Sequence, residues 1–262
     1  MIPVVLIVVD GLRPDALTAG KHPSFDALRA SGAVALAATS VLPSISLPCH
    51  VSMFHSVAPN DHGITTNVWQ PLRREIPSVI DLAAAARLRV AAFYNWEPLR
   101  DLSRPGSLAF AYFRDNLRDV SGDQIIAEQA ARVIANEQPD FAFVYLGTLD
   151  IAGHDHGWMS NAYFEQLRRV DYALGVLLNA LPAHFAIILQ SDHGGHDHGH
   201  GTDAPADLTI PWIARGQNIR RGYALRAPVS LLDTAPTLAR LLGLAPHAEW
   251  QGRVIEEIFE TA

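Results

Sequence analysis

Pro3-Val4-Val5-Leu6-Ile7-Val8-Val9 is an unbroken apolar run, without the polar residue at every second position that marks a half-exposed strand. That pattern belongs to a parallel strand buried on both faces, and such strands need helices packed on each side of their sheet. The run stops at Asp10-Gly11, so Asp10 lies at a strand's carboxyl end. In open α/β sheets ligands bind along that edge, although an acid there also serves as a helix cap or turn residue.

The rest of the chain repeats the strand-then-helix rhythm. His22-Pro23 to Ala30 reads as a helix closed by Gly32, and Ala33 to Thr39 as a strand. Pro43 to Phe54 reads as a turn entering a helix, with Ser46 near the N-cap and Pro48 in the first turn. Ser78 to Ala86 is helical and Leu88 to Tyr94 a strand. Ser121-Gly122-Asp123-Gln124 reads as a capping box opening a helix to about Asn136, before the strand Phe141 to Leu146. Ser160 caps a helix to Ala180, Phe185 to Leu189 and Leu208 to Ala214 are strands, and Leu232 to Gly243 is the last helix. The alternation predicts an α/β fold, a doubly wound, mostly parallel sheet with helices on both faces. With no linker or repeat, residues 1–262 read as a single domain, and 95–120, which has no clear period, as a lid or pocket-forming segment within it.

Composition narrows the function. At 49% hydrophobic and 18% charged the chain is an ordinary globular one, long enough for a large core. A net charge of −7 and a single lysine, Lys21, argue against a nucleic-acid polymer as partner. The apolar start is too short to span a bilayer and lacks a basic flank, so no membrane partner and a cytoplasmic location are expected. The lone Cys49 excludes an internal disulfide. Nothing in the sequence fixes an oligomeric state.

Leu189 to Thr202 packs four His and two Asp into fourteen residues behind an apolar run. Neutral imidazole and carboxylate are the ligands of a borderline divalent ion, and glycines let a loop fold several onto one point. The blander reading is a solvated His-rich loop. Three other stretches place polar groups just beyond apolar segments: Asp10, Ser46 and Asp150 with His154. Ser46 alone would be only a cap, though a hydroxyl at a helix N-terminus also faces amides that hold anions.

The order and wording of these stretches resemble the alkaline phosphatase superfamily, and within it the type I phosphodiesterases, or nucleotide pyrophosphatase/phosphodiesterases. They are Val8-Val9-Asp10-Gly11, Pro43-x-x-Ser46-x-Pro48-x-His50, Asp61-His62-Gly63-Ile64-x-x-Asn67, Asp150-x-Ala152-Gly153-His154-Asp155-His156-Gly157 and Ser191-Asp192-His193-Gly194. The resemblance implies two divalent ions, zinc as a rule or manganese. Asp10, Asp192, His193 and the Ser46 hydroxyl would hold one. Asp150, His154 and a later His would hold the other, with His200 the first choice, His196 the second and His198 the third. Ser46 would be the nucleophile, forming a covalent phospho-enzyme on a small phosphate ester, and Asn67 the donor to a phosphate oxygen. A serine alcohol is a poor nucleophile near neutral pH, and a pair of ions about 4 Å apart both activates it and clamps the phosphoryl group.

Departures bear on substrate. Nucleotide-specific relatives stack the base between an aromatic residue after the nucleophile and a tyrosine before the metal aspartate; here those substrate-binding positions are Leu47 and Tyr145, so half of the sandwich is missing. Sulfatases need Cys or Ser followed by x-Pro-x-Arg, and here His50 stands where the Arg would. A phosphomonoesterase or phosphonate hydrolase of the same fold is the alternative, and a non-catalytic metal-binding protein the alternative of another class.

Overall fold

The computed structural model describes residues 1–260. Its single eight-stranded sheet contains β1 (Val4–Val9), β2 (Ala33–Thr39), β3 (Val90–Tyr94), β4 (Phe110–Phe113), β5 (Phe141–Leu146), β6 (Ala186–Gln190), β7 (Thr209–Arg215) and β8 (Tyr223–Ala224). The spatial order is β4-β3-β5-β1-β6-β7-β2-β8. β1 is central and pairs in parallel with β5 and β6, while β3 pairs in parallel with β5 and β4. β7 alone runs against its neighbours, antiparallel to β6 and β2. β6 and β7 are joined by a loop and the one-turn helix Pro205–Leu208, with no long helix to carry the chain across a face of the sheet, and the chain turns back.

Why β1 lacks alternation is visible in its two faces. Val4, Leu6 and Val8 enter one apolar cluster with the helices Ser46–His55, Val79–Ala85 and Thr234–Leu241. Val5, Ile7 and Val9 enter a second with Pro23–Ala30, Gly122–Glu137 and Asn161–Ala180. All six β1 side chains are fully buried. At about 2 kcal/mol for each, that burial anchors the strand whose end carries Asp10.

One local expectation changes. Ser121 makes no side-chain cap; its hydroxyl and N–H both bond Asp119 Oδ1, and the following Asp123 turns inward. The segment 95–120 contributes a 3₁₀ turn, Glu97–Leu102, and the edge strand β4. Its Trp96 ring stacks on Tyr145, with centroids 6.4 Å apart.

Candidate metal centre and active site

Three neighbouring strands, β5, β1 and β6, release their chains at one edge of the sheet. After β1 comes Asp10, then Gly11 at φ +69°, where a side chain would be strained and a Cβ would lie 3.1 Å from Asp150 Cα. That close approach seats the end of β1 against helix Thr148–His156, which follows β5. Asp150 lies in the helix's first turn and His154 one turn on, so both face the same way. After β6, Ser191 ties the next turn to β1: its Oγ lies 2.8 Å from Val9 O and accepts from Leu12 N–H at 3.0 Å. Asp192 and His193 follow, both fully buried.

The side chains gather into two groups. Asp10, Asp192 and His193 each offer one ligand atom, all within 4.8 Å of one another. His193 Nε2 stands 3.3 Å from Asp10 Oδ1, 3.3 Å from Asp192 Oδ2 and 3.1 Å from Ser46 Oγ. Asp150, His154 and His200 form the second group under the same limit. There His154 Nε2 lies 3.5 Å from Asp150 Oδ2 and 3.1 Å from His200 Nε2, which is 3.7 Å from Asp150 Oδ1. The groups adjoin, because the His193 and His200 rings stack at 3.8 Å and 14°. The first group is sealed, with side chains at most 2% exposed, whereas His154 of the second is 39% exposed.

Both groups fit a divalent cation on three counts. Donors about 2.0–2.1 Å from a tetrahedral ion stand about 3.3 Å from each other, close to the spacings seen here. Asp10 Oδ1, Asp150 Oδ1 and Asp192 Oδ2 are buried with no hydrogen-bond partner, a costly arrangement unless a positive charge meets them. Each imidazole has its other nitrogen committed: Nδ1 donates to Gly194 O in His193, to His198 O in His154 and to Ser44 O in His200, at 2.8–2.9 Å. That fixes the Nε2 lone pairs inward.

Electrostatics says the same. Burial, then the charge of Asp10, pushes the Asp150 carboxyl well above its usual range. Asp192 is raised likewise by burial and by Asp10 and Asp150. Burial pushes His193 down, and His200 down to about 4, which favours the neutral rings that a metal group needs.

Ser46 opens helix Ser46–His55, and its hydroxyl is used toward His193 rather than as a cap. Within that first turn Leu47 N–H donates to Asn67 Oδ1 at 2.9 Å, which leaves the Asn67 amide nitrogen free. Beneath, the buried His50 donates Nδ1 to Ser46 O at 2.7 Å and is pushed down to about 4 by burial.

Other residues singled out in the sequence lie elsewhere. His196 binds Asp207 at 2.7 Å, which raises its pKa, and belongs to neither group. His198 is exposed and donates Nδ1 to His154 O. Leu47 and Tyr145, expected to face substrate, are enclosed instead. The Leu47 side chain is in the core, and Tyr145, 2% exposed, lies against Trp96 with its hydroxyl donated to Asp10 Oδ2. Tyr145 thus orients Asp10, leaving Oδ1 for the metal group.

One neighbour carried no signal in the sequence. Trp158 donates Nε1 to Gly11 O at 2.9 Å and sets its ring edgewise to His154 and His200, at 5.1 and 5.9 Å. A Cβ at Gly195 would come within 2.3 Å of that indole, so glycine is required there.

A family model described as type I phosphodiesterase / nucleotide pyrophosphatase matches residues 4–205. The chain belongs to that family. Among curated relatives of this type I phosphodiesterase family member, ectonucleotide pyrophosphatase/phosphodiesterase family member 3 of Rattus norvegicus is 28% identical over 217 residues. The match covers 73% of this chain and 25% of that protein, so the chain spans about a quarter of the length of such relatives. A sulfatase of Formosa agariphila is 32% identical over 109 residues, covering 38% of this chain and 22% of that protein. In fold, human ectonucleotide pyrophosphatase/phosphodiesterase 5 superposes with a TM-score of 0.83 at 15% identity, covering 99% of this chain and all of that one. A 2-O GAG sulfatase does so at 0.79 and 16%, covering 98% and 74%. The eight-stranded, mostly parallel sheet is therefore the alkaline phosphatase-like fold.

Proposed function

We propose that the chain is a two-metal phosphodiesterase in which Ser46 attacks the phosphorus of a small phosphate diester. The observation that carries this is the Ser46 Oγ, 3.1 Å from His193 Nε2 at the rim of the inner group and at the start of a helix. Asp10, Asp192, His193 and Ser46 would hold one ion, and Asp150, His154 and His200 the other. The nitrogen-rich outer group suits zinc, and the oxygen-rich inner group accepts zinc or manganese. Once bound, the ions supply the positive charge that makes the Ser46 alkoxide accessible and polarises the phosphoryl oxygens.

The chain's own groups do the rest. His193, its Nδ1–H donated to Gly194 O, keeps its single Nε2 lone pair aimed into the inner group beside Ser46 Oγ, where both would meet the same ion. Asn67, its carbonyl oxygen committed to Leu47 N–H, turns its amide nitrogen to a non-bridging phosphate oxygen. Attack forms a bond from Ser46 Oγ to phosphorus and expels one ester alkoxide. Water then cleaves the phosphoserine ester in a second in-line displacement and restores the hydroxyl.

The diester reading is favoured over the monoester because, among the described residues, the ion pairs and side-chain hydrogen bonds of the two groups involve carboxylates, imidazoles and the hydroxyls of Ser46, Tyr145 and Ser191, and none involves a lysine or arginine that could meet a second phosphate charge. An inactive variant of murine ectonucleotide pyrophosphatase/phosphodiesterase 5 is known in complex with AMP (TM-score 0.79, 16% identity), which makes nucleotide esters natural probes. A phosphonate monoester hydrolase from Silicibacter pomeroyi shares the fold at a TM-score of 0.73 and 16% identity, so phosphonate esters belong on the panel.

The test is turnover of bis-p-nitrophenyl phosphate beside p-nitrophenyl phosphate, zinc-replete and with chelator. Chelator-sensitive preference for the diester is expected. Preference for the monoester moves the assignment to a phosphatase, and inertness toward both removes it.

A further inference from the structure

We infer that Asp123 is the positioning residue that sets how tightly the Asp150–His154–His200 group grips its ion. This rests on the two-ion reading above. The helix carrying Asp150 and His154, Thr148–His156, starts without a cap of its own: its N-cap is Gly147, which has no side chain to accept from the first-turn amides. Asp123 supplies the missing acceptor from a helix distant in sequence. Its Oδ1 accepts from Gly147 N–H at 3.0 Å and Asn95 Nδ2 at 2.9 Å. Its Oδ2 accepts from Thr148 N–H at 3.2 Å and Thr148 Oγ1 at 2.6 Å. Gln166 Nε2 donates to the same Thr148 hydroxyl at 2.6 Å, bracing it from the other side.

The carboxylate does two things there. It satisfies amides that would otherwise be buried without partners, and it puts negative charge at the positive end of the helix dipole. Asp123 is 2% exposed, so solvent offers little substitute.

The consequence is selective. Two of the three outer ligands ride on this helix, and Asp150 lies only two residues beyond Thr148. None of Asp10, Ser46, Asp192 and His193 does; they come from the ends of β1 and β6 and the start of another helix. Metal–donor distances tolerate shifts of only about 0.2 Å. Loss of the Asp123 bonds therefore weakens the outer ion and spares the inner one, and losing such a supporting bond typically costs about 10–100-fold in metal affinity.

The experiment measures Zn²⁺ affinity of the full chain by competition with a chromophoric chelator, together with ions retained after dialysis. H154A marks loss of the outer ion and D192N loss of the inner. Asp123→Asn and Thr148→Val are the test variants; Thr148→Ser keeps the hydroxyl and serves as rescue. The expected result is two ions in the wild type, one of them weakened about 10–100-fold in D123N and T148V. That ion is the one lost in H154A, and T148S binds as wild type. Thr148→Val is the smaller change and keeps the question answerable if D123N does not fold. Wild-type affinity for both ions in T148V, or equal weakening of both, overturns the assignment. A wild-type chain that takes up no zinc overturns the two-ion reading itself.

Discussion

In the proposed mechanism Ser46 and Asn67 divide the chemistry between making a bond and holding a charge, and their variants separate the two. Ser46→Ala removes the attacking oxygen while leaving Asp10, Asp192 and His193 in place. Its expected loss of turnover is at least about 10³-fold, with no phosphoserine trapped on acid quench. Turnover equal to wild type would mean that water attacks phosphorus directly. Asn67→Ala removes one donor to the charge that develops on phosphate oxygen. A drop in kcat of about 10²-fold with metal content unchanged is expected, and an effect confined to KM would make Asn67 a ground-state contact. Both residues announce themselves in the sequence, because each lies within a short local phrase. Tyr145 is different. It stands where a base-stacking residue is expected, yet its hydroxyl is committed to Asp10 and its ring to Trp96, contacts that depend on the register of β5 beside β1 and on a segment without periodicity.

At the scale of elements, the strands and main helices follow from apolar runs and breakers, and so do the strand ends bearing Asp10, Asp150 and Asp192. The sequence misassigns contacts that join elements distant along the chain. Ser121 to Gln124 has the spacing of a capping box, but Asp123 caps a helix that starts 25 positions later, as its bond to Thr148 records. No local pattern distinguishes the two uses of an acid near a helix start. The buried Asp123 also carries a measurable signature. Burial, only partly offset by its hydrogen bonds, raises its carboxyl from 3.8 to about 6. The folded state therefore holds the proton more tightly than the unfolded one, and the stability this contributes is full below pH 4 and lost as pH rises through 6. Asp123→Asn has no proton to lose. Between pH 4 and 6 the wild type should lose about 2 kcal/mol relative to D123N, read from urea midpoints at each pH. A constant difference across that range would mean that Asp123 is already ionised in the folded chain at pH 4.

For the whole molecule, the two candidate metal groups differ in depth as well as in donor chemistry. His193 and Asp192 are fully enclosed and Asp10 nearly so, walled by His200 and the Ser46 helix, whereas His154 of the outer group is 39% exposed. With both groups loaded as proposed, a chelator in solution reaches the outer ion first, and the inner one after local opening or after His200 has moved. Zinc release should be biphasic, with turnover falling in the first phase because one half of the clamp has gone. Thermal stability should fall chiefly in the second. Losing the inner ion leaves two enclosed carboxylates, Asp10 and Asp192, facing each other without a cation, and Asp192 must then take up a proton that burial already favours. Stabilisation by a bound ion is about 3–4 kcal/mol at 100 to 1,000 times its Kd, and in a chain of this size each kcal/mol moves Tm by about 2–4 °C. A drop of about 5–15 °C is thus expected to track the second ion. Metal content, turnover and Tm followed on one preparation check the order. Simultaneous release of both ions, or a Tm that falls with the first, would mean that the sheet edge opens as a unit and that the burial of His193 gives no kinetic protection.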